Sequence, residues 1–68
     1  MTMIPVSSSD LASVGYENGT LYIRFHSGGL YAYSGVSESV YSGLISAGSK
    51  GRYFHAHIRG RYGERRIG

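Results

Sequence analysis

The sequence predicts an α+β domain: a three-stranded antiparallel meander with one helix on its apolar face, then a short basic helix plus edge strand at the C-terminus. Three observations lead to this fold class. Apolar and polar residues alternate through residues 11–34, an Asn-Gly pair interrupts the alternation, and the apolar spacing becomes helical after Gly35. No linker divides the 68 residues, so we expect a single domain over residues 1–68, with residues 1–9 as a loosely ordered leader.

The first hairpin is predicted from the turn at Asn18-Gly19. Both residue types tolerate positive φ, which makes this dipeptide the strongest short signal for a two-residue hairpin turn. Pairing the flanking residues Glu17 and Thr20 aligns three apolar pairs on one face: Tyr16 with Leu21, Val14 with Ile23, and Ala12 with Phe25. The agreement between turn chemistry and apolar pattern supports the meander.

The second hairpin is predicted to turn at Ser27-Gly28 or at Gly28-Gly29, and either two-residue turn gives the same alternation of faces. The predicted apolar face consists of Leu21, Ile23, Phe25, Leu30 and Ala32. The predicted opposite face, rich in tyrosines and cations, consists of Tyr22, Arg24, His26, Tyr31 and Tyr33. We interpret this tyrosine face either as a platform for stacking or as a surface covered by the second helix or another subunit.

The segment after the meander has helical spacing, with apolar residues at Val36, Val40 and Leu44. Ser37 is a natural N-cap, and Gly48 is a natural end for this helix. A second, short helix is predicted at residues 53–59. Residues 65–67 are then predicted to return as an edge strand.

Positive charge is concentrated in the C-terminal third of the chain. The net charge is +3, and residues 1–48 contain a single cation, Arg24. The other six cations are Lys50, Arg52, Arg59, Arg61, Arg65 and Arg66. This distribution indicates an anionic partner.

Length and composition bound several other properties. A chain of 68 residues buries only a small core, and it contains no cysteine for a disulfide, so we expect a homo-oligomer. No apolar run has the length of a transmembrane helix, and residues 1–10 lack the pattern of a signal peptide. We therefore expect no membrane partner and a cytoplasmic location, in a bacterium or in a cell infected by a virus.

Residue types that commonly catalyse reactions are scattered along the chain. The four acids fall in the leader, a turn, a helix cap and the tail, and no cysteine nucleophile is present. His55 and His57 diverge if they lie on a helix, and no third metal ligand can be placed beside them. We expect no catalytic residue, no metal and no cofactor. A nucleotide hydrolase, with turnover that depends on His55 or His57, is kept as a third hypothesis.

A phosphate site is predicted between the two helices, at Ser49-Lys50-Gly51-Arg52. A helix that begins there offers backbone N–H groups, a hydroxyl and two cations, although the order is not that of a Walker loop. A connector with solvated charges is the alternative interpretation. Tyrosine rings and arginine planes also stack on bases, at about 1–3 kcal/mol per base. The predicted ligand-binding set is Arg24, Tyr31, Tyr33, Ser49, Lys50, Gly51, Arg52, Tyr53, Arg59 and Arg61.

An ordered set of short segments resembles a known family. A serine-rich start is followed by VGY at residues 14–16, LYIRF at 21–25, YAY at 31–33, GV at 35–36 and SKGRYF at 49–54. This set is similar to the KTSC domain, a family named after a copy at the C-terminus of some lysyl-tRNA synthetases. The resemblance spans residues 7–66, with the tyrosines of YAY as the central motif. It implies that this chain is a free-standing member of the family with an RNA-binding role. Since no synthetase is attached to it, the resemblance does not imply binding of tRNA.

Three features favour non-catalytic binding of a phosphate-bearing nucleotide or nucleic acid. They are the positive charge of the C-terminal third, the tyrosine face and the resemblance to the KTSC domain. The ligand is either RNA or a small signalling nucleotide that the domain captures and sequesters. RNA requires an extended basic track and a steep salt dependence, whereas a small ligand requires a recess and a shallow one. The alternative is a protein–protein interaction module that uses the tyrosine face and the basic tail. Nucleotide binding depends on the tail cations and the sheet tyrosines meeting in one accessible hollow.

Overall fold

The computed structural model describes residues 2–68, which form a five-stranded antiparallel sheet with the strands side by side in chain order. The strands are β1 (Ile4–Pro5), β2 (Leu11–Glu17), β3 (Thr20–Phe25), β4 (Leu30–Ser34) and β5 (Gly63–Arg66), and the helices are α1 (Glu38–Ser46) and α2 (Lys50–His57). The predicted α+β class is confirmed. The predicted meander is β2–β4, the centre of a wider sheet to which the leader adds β1 and the C-terminal segment adds β5.

The first hairpin has the predicted register next to its turn. Asn18 and Gly19 have φ of 51° and 76°, and Glu17 pairs with Thr20 as the turn requires. The register shifts at the start of β2, where Leu11 rather than Ala12 pairs with Phe25. This irregularity lets Leu11 point into the core, where it is fully buried.

The second hairpin differs from the prediction because its loop has three residues. The backbone N–H of Phe25 donates to the carbonyl of Gly29 at 2.9 Å, which leaves residues 26–28 as the loop. Gly28 has φ of 112°, a conformation that suits glycine in such a loop. A three-residue loop shifts the pairing by an odd number of residues relative to either two-residue turn, and an odd shift exchanges the two faces of the strand.

The predicted faces of β4 are therefore wrong. Tyr33 pairs with Leu21 and Tyr31 pairs with Ile23, so both tyrosines lie on the side of the sheet that the helices cover. Leu30 lies on the opposite side, as does Ala32, which is buried although no helix of the described chain covers that side. The tyrosine face predicted from the sequence does not exist as a continuous surface.

The core lies between the sheet and the two helices. Its buried residues come from every element except β1 and β5: Leu11, Val14, Leu21, Ile23, Tyr33, Val36, Leu44, Phe54 and Ile58. Tyr33 is 1% exposed and packs edge-to-face on Phe54, with 5.6 Å between ring centroids. The aromatic pair attaches α2 to the sheet, so the end of α2 is held against β4.

Both helices begin at serine caps. The Ser37 hydroxyl accepts from the N–H of Val40, as predicted, and α1 ends at Ala47 in an extended conformation rather than at Gly48. The Ser49 hydroxyl accepts from the N–H of Arg52, so α2 begins one turn before the predicted residues 53–59. Neither helix of residues 2–68 is long and apolar enough to cross a membrane.

Candidate ligand-binding pocket

An open pocket lies where the last turn of α2 faces the β3–β4 loop and strands β4 and β5. Its volume is about 240 Å³, and its lining residues are Phe25, Ser27, Tyr31, Tyr33, Phe54, His55, Arg59 and Glu64. We call it the aromatic pocket. The three-residue loop brings the tyrosines to this side, and the pairing of β5 with β4 brings Glu64 beside them.

Aromatic rings in edge-to-face contact form the wall of the aromatic pocket. The ring of Phe25 lies 5.7 Å from Tyr31 and 5.3 Å from Phe54, measured between centroids. Tyr31 is half-buried, and the guanidinium carbon of Arg66 lies 5.9 Å from its ring centroid. A wall of rings that hold one another in place presents a rigid apolar surface, and Tyr31 contributes its accessible part.

Ionic groups surround this wall. Nη1 of Arg59 lies 3.4 Å from Nδ1 of His55, and Nε2 of the same imidazole lies 3.6 Å from Oδ2 of Asp10. Because a guanidinium only donates, Nδ1 is the acceptor in this contact, and the proton of a neutral His55 is on Nε2, toward the carboxylate. The imidazole thus links Asp10, directly before β2, to the cation that follows α2.

The hydroxyl of Tyr33 faces the carboxylate of Glu64. Burial raises the pKa of Tyr33 far above its ordinary value, the neighbouring Glu64 carboxylate raises it further, and the Arg59 guanidinium lowers it. The hydroxyl therefore stays protonated across the physiological range and acts as a donor. Glu64 in turn is an acceptor at the side of the pocket.

A second recess adjoins the aromatic pocket and shares Phe25, Ser27 and His55 with it. The remaining lining residues are Ser9, Asp10 and His26, and the volume is about 350 Å³. Nε2 of His26 lies 2.9 Å from the Ser8 carbonyl oxygen, so the β3–β4 loop also contacts the leader. The two recesses form a continuous surface around His55.

Residues 7–62 match the model of the KTSC domain. This match covers most of the chain. The chain belongs to the KTSC domain family. A protein of Stutzerimonas stutzeri is 40% identical to it over 57 residues, which cover 81% of this chain and 80% of that protein. A protein of Tsukamurella paurometabola is 34% identical over 62 residues, which cover 88% of this chain and 92% of that protein.

The fold of this KTSC domain is also found in a crystal structure of a KTSC domain protein from Yersinia pestis. The two superpose with a TM-score of 0.96 at 43% sequence identity, over 98% of this chain and 97% of the other. The sequence resemblance to the family is therefore confirmed, and it extends to the whole architecture.

Three of the predicted ligand-binding residues meet in the aromatic pocket of the KTSC domain: Tyr31, Tyr33 and Arg59. Tyr33 belongs to the wall of the pocket and is unavailable for stacking, because the whole residue is only 1% exposed. The aromatic pocket therefore contains one predicted stacking residue and one predicted cation.

The predicted phosphate segment lies at the other end of α2. Ser49 caps the helix, and Lys50 donates from Nζ to the carbonyl of Ala47 at 3.2 Å, which satisfies the end of α1. Gly51 is buried, and a Cβ there would lie 3.0 Å from Oδ2 of Asp10. The Asp10 carboxylate next to the start of α2 opposes the binding of an anion there. Arg52, the last residue of the predicted segment, is exposed.

The other predicted residues are dispersed. Tyr53 packs against α1, where its hydroxyl occupies the space that a Cβ on Gly43 would need, and its ring lies 4.5 Å from that of His57. Arg24 is on the helix-free side of the sheet and donates to the carbonyl of Gly28 at 3.3 Å. The guanidinium of Arg61 donates to the Ala56 carbonyl at 3.2 Å. Of the predicted tail cations and sheet tyrosines, only Arg59, Tyr31 and Tyr33 therefore line the same pocket.

The predicted ligand-binding set omits several residues of the pocket, namely Phe25, Ser27, Phe54, His55 and Glu64. Of these, His55 was considered only for catalysis or metal binding. The apolar pattern predicts Phe25 and Phe54 only as core residues. In the structure they pack in or against the core and also line the aromatic pocket. Glu64 is the only acid among residues 49–68, and that isolation in a basic segment was the available signal. Within residues 2–68, no group of three or more His, Cys, Asp or Glu residues is arranged to hold a metal ion.

Proposed function

We propose that this KTSC domain binds a small phosphate-bearing nucleotide in the aromatic pocket, in the cytosol, without changing it chemically. The observation that carries the proposal is the meeting of an accessible tyrosine ring, a guanidinium and a carboxylate in one open recess. These groups match the three parts of a nucleotide that a protein recognises: the face of the base, the phosphate and the edge of the base.

Stacking on Tyr31 supplies the apolar part of the interaction. Its ring is half-buried and is held edge-on by Phe25, so a base that displaces or underlies the Arg66 guanidinium can lie on it while the other rings stay in place. Base stacking on such a ring contributes about 1–3 kcal/mol. The guanidinium of Arg66 already lies over this ring. When a base binds, this group either stacks on the outer face of the base or is displaced by it.

The positions of the cations support a small ligand over an RNA strand. Arg59 lines the aromatic pocket, but Arg24 lies on the helix-free side of the sheet and Lys50 at the start of α2. A polymer that runs along the protein requires a continuous series of phosphate contacts. One or two cations beside a recess suit one or two phosphates, so sequestration of a free nucleotide is the favoured form of the proposal.

Binding should be measured by calorimetry and thermal shift, with nucleoside mono- and diphosphates, a cyclic dinucleotide and a short single-stranded RNA. We expect a mononucleotide to raise the melting temperature with a shallow salt dependence. Arg59→Ala removes the phosphate cation, and we expect it to weaken binding about tenfold to hundredfold, because hydrogen bonds to charged groups contribute about 1.5–3 kcal/mol. Arg52→Ala, at an exposed arginine of the same helix, is the matched control and should bind normally.

Three results would contradict this proposal. Binding of RNA alone with a steep salt slope would restore the nucleic-acid hypothesis. Loss of binding in Arg52→Ala but not in Arg59→Ala would place the phosphate between the helices, as the sequence predicts. Turnover of the nucleotide that disappears in His55→Ala would make the protein a hydrolase.

Self-association is the second candidate, and a groove between β1 and α1 favours it. The groove measures about 490 Å³ and contains Ile4 and Ile45, two of the three large apolar side chains that are exposed within residues 2–68. Its one charged residue is Lys50, whose ammonium group already faces the carbonyl of Ala47. We propose a second copy of the chain as the partner, since two chains of charge +3 can meet there with little repulsion.

Light scattering coupled to size exclusion tests this association. We expect the unmodified chain to form a dimer at micromolar to millimolar concentration and Ile45→Glu to be a monomer, because a carboxylate in the apolar contact has no partner. Ile67→Glu, at the third exposed apolar side chain, is the control and should leave the dimer intact. A monomer at every concentration of the unmodified chain would exclude this interface.

A further inference from the structure

We propose that the aromatic pocket selects guanine among the bases, and that Glu64 is the residue that recognises it. This inference rests on the proposed nucleotide-binding function and goes beyond it, because it names the base. It is carried by the position of the Glu64 carboxylate beside an accessible aromatic wall, where it forms no ion pair with an arginine or lysine of residues 2–68.

The location of Glu64 is unusual for an acid in this chain. It lies on β5 directly opposite Tyr33 and lines the pocket together with Tyr31. Within residues 2–68 no arginine or lysine forms an ion pair with it, although it stands in the most basic part of the sequence. Arg59 contacts His55 instead, and Arg66 lies over the Tyr31 ring and donates to a backbone carbonyl. The carboxylate is therefore available to donors from a ligand.

The chemistry of a carboxylate favours one base. An ionised carboxylate accepts hydrogen bonds through two oxygens and donates none. Guanine carries two adjacent donors on its pairing edge, the ring N1–H and the 2-amino group, which match those two oxygens. Adenine, cytosine and uracil each place an acceptor next to a donor on that edge, so a carboxylate meets a lone pair as well as a hydrogen.

The neighbouring groups fit this mode of binding. Tyr33 lies directly across from Glu64 in the β4–β5 pair, and its hydroxyl stays protonated beside the carboxylate. Because an ionised carboxylate has about four acceptor positions, this neighbour leaves positions for the donors of a base. Tyr31 lines the same pocket and offers its ring to the face of the base. Arg59 lines it as well and supplies a cation for the phosphate, apart from the edge of the base that Glu64 recognises.

The test compares GMP, IMP, AMP and UMP by calorimetry on the unmodified chain. IMP keeps the N1–H of guanine and lacks only the 2-amino group, so it isolates one hydrogen bond to the carboxylate. We expect GMP to bind about tenfold to hundredfold more tightly than IMP, and AMP and UMP to bind more weakly than GMP by at least as much. In Glu64→Gln, whose amide both donates and accepts, the advantage of GMP over IMP should fall below about threefold.

Glu38→Gln provides the control, because Glu38 is an exposed acid in the first turn of α1 and lies outside the aromatic pocket. It should keep the preference for GMP, and the melting temperature of each unliganded variant verifies that the fold is intact. Equal binding of GMP and IMP, or a preference that survives Glu64→Gln, overturns the guanine inference and leaves nucleotide binding standing. The absence of binding by all four nucleotides overturns both.

Discussion

Tyr33→Ala is expected to lower the free energy of unfolding by about 3–5 kcal/mol, the cost typical of truncating a buried aromatic side chain. Tyr33 is 1% exposed and contacts the ring of Phe54, so its removal leaves a cavity between α2 and the sheet. A domain of this length has only a few kcal/mol of stability to lose. We therefore expect most of the variant to be unfolded at 25 °C, as measured by circular dichroism and urea titration.

Tyr22→Ala is the matched control for this prediction. Tyr22 lies on the neighbouring strand β3 and on the helix-free side of the sheet, where it pairs with Ala32. Its truncation should cost less than half as much as that of Tyr33, because it opens no cavity in the core. The reverse order of stabilities would mean that the β3–β4 loop has an even number of residues and that the tyrosine face exists after all.

Leu44→Ala is expected to destabilise the domain by about 2–5 kcal/mol. Leu44 is fully buried and is the one residue of α1 in the core, so the packing of this helix on the sheet depends on it. The size of the loss can be read from the shift in the urea midpoint at constant slope.

Ile67→Ala is the control, since it truncates an aliphatic side chain that is 44% exposed. We expect its cost to stay within about 0.5 kcal/mol, which is usual for a surface position. Equal effects of the two substitutions would show that α1 does not pack on the sheet through Leu44.

The first hairpin was predictable in detail because its turn chemistry leaves little freedom. An Asn-Gly pair fixes both the number of loop residues and the sign of φ, and the alternation of β2 and β3 then follows. The shift at Leu11 was not predictable, since a one-residue irregularity leaves no mark on an alternating pattern as short as β2.

The second hairpin was predicted with the wrong faces because two consecutive glycines permit more than one loop length. With Gly28 at positive φ the loop has three residues, and this single difference moves Tyr31 and Tyr33 to the core side. Tyrosine is compatible with both a core and an exposed face, so the identity of these two residues did not decide between the two sides of the sheet. Local sequence therefore determines that β4 exists but not which of its faces is buried.

The candidate pocket was predicted only in part for a related reason. Glu64 reaches Tyr33 through the pairing of β5 with β4, a contact across thirty residues that no local pattern encodes. The start of α2 was placed a turn too late because Gly51 weakens the helical pattern, whereas the structure uses it next to Asp10. Which ligand the domain binds, and whether it assembles with itself, remain predictions.

The helix-free side of the sheet has a practical consequence for these measurements. Ser34 is exposed on that side, at the end of β4, and the sequence contains no cysteine. A cysteine placed there would be the sole thiol of the molecule, and a dye or a sensor chip attached through it would sit on the far side from both the recess and the groove. Immobilised in this orientation, the domain would leave the aromatic pocket accessible to each nucleotide that is tested.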